Sequence, residues 1–412
     1  MWNGLLQAVE RRWRRDSDAR NSQLKLLGGA GVVIGAVLLV ARRLAAKSQP
    51  PPDDSLGFTA LVQTDQHRRH RALQAVGTNR SRALPTSGSP PVPDVRASFA
   101  AMGQNGQVIK VNKGSVWPLD HYKNYMPPYA EHIESIQRFK GNYLVFSGAE
   151  SDAGDLFIAV LQGTGSGPLG PLSGQVVKRV IVDSTLTHAG GLQISGDLLA
   201  IGAEAQCSPM QRVFGGCSKR SQVFFFDVSD PTNPVKLPTV IDRPGKTAGA
   251  VGIGRQENGK WLVMVGDGDN NNIDIYSEGD DGSFSLIASW SKYELLKDAG
   301  VAGGYKSYQN MNILLQSDGQ IFIVCTALSS MIMGSDYFDL FTVQPSEGRA
   351  TITMVSSKKA TCHGCTFAAG AGIYVNPENP SQMLGYASGW LPSSNSLSSF
   401  PAKGDTIFVN EF

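Results

Sequence analysis

The chain predicts an all-β fold, a β-propeller of five four-stranded blades with six as the alternative. Three observations carry that expectation: a long internal repeat, strand-length apolar runs cut by turn residues, and almost no helical periodicity. A histidine marks the repeat. From Glu131 the chain reads E-H-I-E-S-I-Q-R-F-K-G-N-Y-L-V-F, from Thr187 T-H-A-G-G-L-Q-I-S-G-D-L-L-A-I-G, and from Cys362 C-H-G-C-T-F-A-A-G-A-G-I-Y-V. Two degenerate copies place Thr247 and Gln309 at the same position. The starts at 132, 188, 247, 309 and 363 give spacings of 56, 59, 62 and 54, the size of one supersecondary unit.

Within the second copy four strands follow in order: G-L-Q-I, then L-L-A-I-G-A-E after the Gly196-Asp197 turn, S-Q-V-F-F-F-D-V after a cysteine-bearing loop, and V-K-L-P-T-V-I after D-P-T-N-P. The third copy repeats the plan with A-V-G-I, W-L-V-M-V-G, N-I-D-I-Y-S and F-S-L-I-A-S-W. The fourth gives M-N-I-L-L, I-F-I-V-C-T-A, Y-F-D-L-F-T-V and A-T-I-T-M-V-S. These runs have strand length and are bounded by Gly, Asn, Asp and Pro. The stretch S-K-Y-E-L-L-K-D-A, residues 291–299, is the one short helix expected at a blade edge. Before the first copy, Q-V-I-K-V-N-K-G-S-V-W adds a strand that can complete the last blade beside T-I-F-V-N-E-F, closing the ring. A sixth blade from residues 98–131 is the competing reading.

At the N-terminus, residues 26–41 form an uncharged apolar run of sixteen, shorter than the roughly 20 that a full span wants. Arg42, Arg43 and Lys47 can lengthen it by snorkelling, so a signal anchor over 26–43 is expected. Six basic residues precede it (Arg11, Arg12, Arg14, Arg15, Arg20, Lys25), and Trp2, Leu5, Leu6, Val9 and Trp13 share one helical face. That charge bias predicts a basic amphipathic cytoplasmic segment over 1–25 and a single-pass protein with its propeller outside the cytoplasm, periplasmic or at the cell surface. A cleaved signal or an organelle presequence is the alternative. Residues 44–98, rich in Pro, Ser, Arg and Gln, read as a disordered stalk with a sequon at Asn79, and 99–412 as the propeller. Residues 1–50 hold nine Lys/Arg against three acids, and 51–100 six against four. With an overall net charge of +2 the remainder carries −6. An acidic folded part argues against nucleic acid as a partner.

The run F-F-F-D-V-S-D-P-T-N-P-V-K-L-P, residues 224–238, resembles the LVIVD repeat of bacterial cell-surface β-propellers, in which a strand ends in D-V-S-(D/N)-P and the next follows N-P. The resemblance covers one blade well and implies the propeller fold. Independently of the family, Asp230-Pro231 and Asn233-Pro234 set a turn between two strands.

The repeated histidine precedes the first strand of its blade, the strand that lines a propeller's axis. His132, His188 and His363 are therefore candidate ligands for one divalent metal, Zn, Fe or Cu, which could activate water or oxygen. Glu131, Glu134, Glu204 and Gln193 are possible added ligands. The plainer reading makes each histidine a brace within its own blade. Among five cysteines, Cys207 and Cys217 read as a loop staple, Cys362 and Cys365 as a local disulfide or two thiols, and Cys325 as a buried thiol. C-H-G-C lacks the strand-to-helix setting of a thioredoxin-like redox motif. Asp267, Asp269, Asn271 and Glu278 match four positions of a calcium loop, but Asn272 stands where Gly is required, so a plain turn is preferred. G-S-G-P-L-G at 165–170 is interrupted by proline and followed by no helix, which rejects a dinucleotide site. Trp117, Tyr122, Tyr125, Tyr129, Tyr305, Tyr308, Tyr337, Tyr386 and Trp390 could line a ligand face, with packing between blades their commoner use.

The function expected from the sequence is a membrane-anchored binding or scaffolding module at the cell envelope, with a protein or carbohydrate ligand and no certain cofactor. A metal-dependent hydrolase or oxygenase using the three histidines comes second. A glycosidase comes last, because Glu134 is the only obvious axial carboxylate.

Overall fold

The structure is a computed structural model. It describes residues 83–114, 132–149, 153–162, 173–205, 220–267, 272–291, 306, 308–328, 335–362, 365, 367, 370–388 and 406–412. The segments 1–25 and 26–43 and the residues of the stalk up to 82 lie outside them. Among the described residues no helix is long and apolar enough to cross a membrane.

The fold is all-β and propeller-like. Sheet one comprises β2 (His132–Phe139), β3 (Tyr143–Ala149), β4 (Gly154–Gln162) and β5 (Ser173–Asp183). Sheet two comprises β6 (His188–Ser195), β7 (Leu198–Glu204), β8 (Arg220–Asp227) and β9 (Val235–Pro244). Sheet three holds β10 (Ala250–Arg255), β11 (Trp261–Gly266), β12 (Asn272–Glu278) and β13 (Phe284–Ser291). Sheet four holds β14 (Tyr308–Leu315), β15 (Ile321–Leu328), β16 (Asp336–Ser346) and β17 (Arg349–Ala360). Each is an antiparallel meander in chain order.

The fifth sheet closes the ring. β18 (Ala371–Val375), β19 (Met383–Ser388) and β20 (Thr406–Glu411) are joined on the outside by β1 (Gln107–Asn112), which pairs with β20 from Gln107 opposite Glu411 to Asn112 opposite Thr406. The first strand among the described residues thus completes the last sheet, so the alternative of a sixth blade from 98–131 fails for the described part of that segment. β1 alternates buried and exposed, with Ile109 and Val111 turned inward. The five inner strands β2, β6, β10, β14 and β18 pack each against the next, back to β2.

Strand periodicity explains most of the boundaries. The inner strands of the first two sheets start at the repeated histidines, and those of the next two within three residues of Thr247 and Gln309. The fifth differs: its inner strand starts at Ala371, eight residues beyond His363. Close approach between neighbouring sheets requires glycine at two points. A Cβ on Gly372 would lie 2.1 Å from the Ile136 carbonyl oxygen, and one on Gly202 would lie 2.0 Å from that of Ala248.

The stalk expected through residue 98 ends earlier. Val92 bridges Gln316, and Trp261 Nε1 donates to the Pro85 carbonyl. The chain then forms a helix, α1 (Val95–Ala101), capped by Asp94, whose Oδ1 accepts the Ala97 amide at 2.9 Å. Val95 and Phe99 are buried in the core shared with Phe338 and Phe412, which supplies what a seven-residue helix lacks in intrinsic stability. Beyond α1, Asn105 bridges Thr361. The segment read as stalk is held against the sheets from Leu84 onward. Residues 292–299, expected to be helical, lie outside the described residues.

Candidate functional site

Small residues and bulges shape the inner strands. In β2 the register shifts between Ile133 and Ser135, so Glu134 is the extra residue of a bulge. In β6 it shifts between Ala189 and Leu192, across Gly190-Gly191, and in β14 between Tyr308 and Asn310. Bulges re-aim side chains that a regular ladder would send elsewhere. Here the Glu134 carboxylate reaches His188 of the next sheet, Oε1 lying 3.0 Å from Nε2. Glu204 stands directly across the ladder from His188, and its Oε1 is 3.5 Å from Nδ1. The other oxygen of Glu204 accepts the Ala248 amide at 3.0 Å, which ties the cluster to the approach of sheet three. His188 and Glu204 keep 19% and 18% of their side chains exposed and Glu134 9%, so the set is reachable from one end of the ring.

Below it the axis is filled by carboxamides. Gln193 on β6 accepts the Ile253 amide at 2.8 Å and the Ile313 amide at 2.7 Å, and donates to the Ile313 carbonyl at 2.8 Å. Gln137 on β2 accepts the Ile194 amide and donates to the Ile194 carbonyl. Asn310 donates to the Glu134 carbonyl, and Asn312 accepts the Ile373 amide. Gln137 and Gln193 each stand five residues after a repeated histidine. The shared offset of the two glutamines, in the first two of the five starts, was the signal for the clasp.

Sequence-nominated ligands are thus divided. Glu134, His188 and Glu204 come together, while Gln193 binds backbone deeper on the axis. His132 lies on β2 with its backbone paired to Ala149, and Ala149 in turn bridges His188. The His132 side chain, Glu131 and His363 lie outside the described residues. At His188 the two ring nitrogens face two carboxylates, Nε2 at hydrogen-bond distance from Glu134 and Nδ1 3.5 Å from Glu204.

Other nominations resolve into structure. Asp267 accepts hydrogen bonds from the Asn272 amide and side chain, whereas Glu278, at the far end of β12, accepts the Trp261 amide. A seven-residue strand separates them, which removes the calcium-loop geometry. Asp269 and Asn271, the Cys207–Cys217 staple and the loop at 165–170 lie outside the described residues. Cys325 is a buried free thiol, its pKa pushed well up by burial and by Asp339. Tyr308 and Tyr386 are buried and donate to Asp339 and Glu411, so they brace rather than line a face. Tyr337 is half-buried with Lys306 over its ring. Trp117, Tyr122, Tyr125, Tyr129, Tyr305 and Trp390 lie outside the described residues.

Residues that the sequence did not single out carry much of the electrostatics. Asp274 is fully buried and accepts from Arg243, also fully buried, at 2.7 Å, and from Lys246 and Ser289. Asp339 repeats the pattern one sheet on, with Lys306, Tyr308 and Ser357. At the other end of the ring a cavity of about 230 Å³ is lined by Gln137, Gln193 and Arg138, and residues 87–90 of the chain lie along it. Ser87 Oγ donates to Asp197 at 2.6 Å there.

No family model matches the chain, and no curated protein is significantly similar to it. Among solved structures it is similar to fructan 1-exohydrolase IIa from Cichorium intybus, at 11% identity and a TM-score of 0.41, over 69% of this chain and 56% of that one. It is also similar to an exo-β-1,3-galactanase from Phanerochaete chrysosporium, at 10% identity and a TM-score of 0.38, over 73% and 63%. A third is a putative oxidoreductase (glucose dehydrogenase) from Thermus thermophilus, at 11% identity and a TM-score of 0.34, over 74% and 100%. The chain spans little more than half of the first of these. At such identities and scores the likenesses carry no argument about activity.

Proposed function

We propose that this chain is a membrane-anchored, extracytoplasmic binding module at the cell envelope, and that it takes a hydroxyl-bearing ligand of the carbohydrate class at the axial end where Glu134, His188 and Glu204 meet. The observation that carries the reading is the meeting of His188 with two carboxylates, Glu134 Oε1 3.0 Å from Nε2 and Glu204 Oε1 3.5 Å from Nδ1. Carboxylate oxygens accept hydrogen bonds from ligand hydroxyls, and the carboxamide clasp beneath keeps the rim rigid, which lowers the ordering cost of binding. Anchoring through residues 26–43 with the N-terminus in the cytoplasm rests on the charge bias of the flanks. The LVIVD-like turn at 224–238 accords with a cell-surface role.

The test is calorimetric titration of the detergent-solubilised full chain with a panel of soluble oligosaccharides, beside Glu134→Gln, with reducing ends assayed in parallel. Saturable binding that weakens at least tenfold in the variant, with no sugar released, is the expected result. Release of reducing sugar, or no binding by the wild type across the panel, overturns it.

A second reading is a mononuclear Zn or Fe centre that includes His188 and Glu134. It is favoured by the Ala149 backbone, which links the strand positions of His132 and His188. Elemental mass spectrometry on the same preparation decides: stoichiometric metal lost in His188→Ala supports a centre, and none after reconstitution removes it.

A further inference from the structure

Cys362 and Cys365 are joined in a disulfide just after β17. Both residues are half-buried and pack against the cluster that contains Phe338, Phe367 and Phe412. The loop springs from a fixed point, because the Thr361 amide donates to Gln104 and the Thr361 carbonyl accepts from Gly106. Asp336, at the start of β16, brings a carboxylate to the pair. Its Oδ2 lies 3.9 Å from Cys362 Sγ, and one ligand atom from each of Asp336, Cys362 and Cys365 falls within 4.8 Å of the others. Its Oδ1 accepts the Phe367 amide at 2.8 Å, which fixes its orientation toward the sulfurs.

We propose that Cys362 and Cys365 are a redox-active pair that exchanges with an external dithiol, and that Asp336 carries the proton. A thiolate of the dithiol attacks Cys365 Sγ; a mixed disulfide forms as the Cys362–Cys365 bond breaks. Cys362 leaves as the thiolate and takes the proton from the Asp336 carboxyl. The second thiol of the dithiol passes its proton to the Asp336 carboxylate and attacks its own bound sulfur, and Cys365 departs and gains the proton that the first thiol gave up. Two electrons move, the dithiol becomes a disulfide, and the protein gains two thiols. Attack at Cys365 follows from Asp336 sitting against Cys362, the sulfur that can take a proton as it departs.

Burial pushes the Asp336 carboxyl up to about 6, against the lowering pull of the Phe367 amide. A carboxyl in that range can both give and take a proton near neutrality. Asp336 is 26 residues from Cys362 in the chain, so the motif alone could not reveal it.

The experiment treats the detergent-solubilised full chain with dithiothreitol under native conditions, traps thiols with an alkylating reagent at intervals, and reads residues 362 and 365 by peptide mapping. A free peptide carrying C-H-G-C is the comparator. We expect the folded wild type to be reduced faster than the peptide, and Asp336→Asn to be slower than wild type by about 100-fold, the scale of a lost acid–base group. A pair that stays oxidised until the protein unfolds overturns the proposal, as does equal reduction of wild type and Asp336→Asn. Should the variant fail to fold, the wild type against the peptide decides, and a rate no greater than the peptide's overturns it.

Discussion

Gln193 reaches across the ring axis to Ile313, donating to its carbonyl and accepting its amide, while the same oxygen also takes the Ile253 amide. One side chain thus joins three of the five inner strands. Gln137 joins only two, through the amide and carbonyl of Ile194.

That difference sets an order of cost. Gln193→Ala strands three buried backbone groups and Gln137→Ala two. At about 1–3 kcal/mol for each unsatisfied group, Gln193→Ala is expected to lose about 4 kcal/mol and Gln137→Ala about 2–3. Urea unfolding midpoints check the order, and a smaller loss for Gln193→Ala would contradict the clasp.

Ring closure by β1 makes a sharper contrast within one strand. Ile109 and Val111 are fully buried between the first and last sheets, and Lys110 between them is exposed. Val111→Asp is expected to cost about 3 kcal/mol or more, because it buries a charge without a partner. Lys110→Asp should fall within about 0.5 kcal/mol of wild type. Comparable midpoints for the two variants would mean that β1 is not part of the closed ring.

Asp274 sets a limit in acid. Burial raises its pKa, but the hydrogen bonds of Lys246 and Ser289 and the charge of Arg243 outweigh that, and the net shift is downward. A carboxyl depressed on folding contributes stability above its unfolded value, near 3.9, and loses it as pH falls through the folded value. Asp274→Asn should therefore be less stable than wild type at pH 7 and converge on it in acid below about pH 4. The larger loss should appear in Asp274→Ala, which leaves Arg243 buried without its partner, about 3–5 kcal/mol. A gap to Asn that is constant from pH 7 into strong acid would contradict the assignment.

Asp336 runs the opposite way. Its folded pKa of about 6 lies above the unfolded value, so its contribution is complete below about pH 4 and is lost as pH rises through 6. Relative to its own pH 4 difference, Asp336→Asn should gain on wild type by on the order of 2 kcal/mol at pH 8. Unfolding at both pH values checks this, and a difference that does not change with pH would mean the carboxyl is not desolvated.

The sequence by itself determined the all-β class, the order of strands in the second to fourth sheets and the closing strand. Each of these is a local matter of alternation, turn residues and repeat spacing, and β11 and β7 match their apolar runs residue for residue. It also exposed the histidine at 132, 188 and 363, and named Glu134 and Glu204 only as possible added metal ligands. It did not foresee α1, because seven residues form a helix there only by burying Val95 and Phe99 against sheets hundreds of residues away. The tertiary structure alone decided what His188 meets, since a bulge aims Glu134 at it and the ladder sets Glu204 across from it. The same holds for Asp336 beside the cysteines and Asp274 beside Arg243. Such contacts depend on which residues the paired strands and closed ring bring to one place, and Asp336 and Cys362, 26 residues apart, or Asp274 and Arg243, 31 apart, meet only in the folded chain.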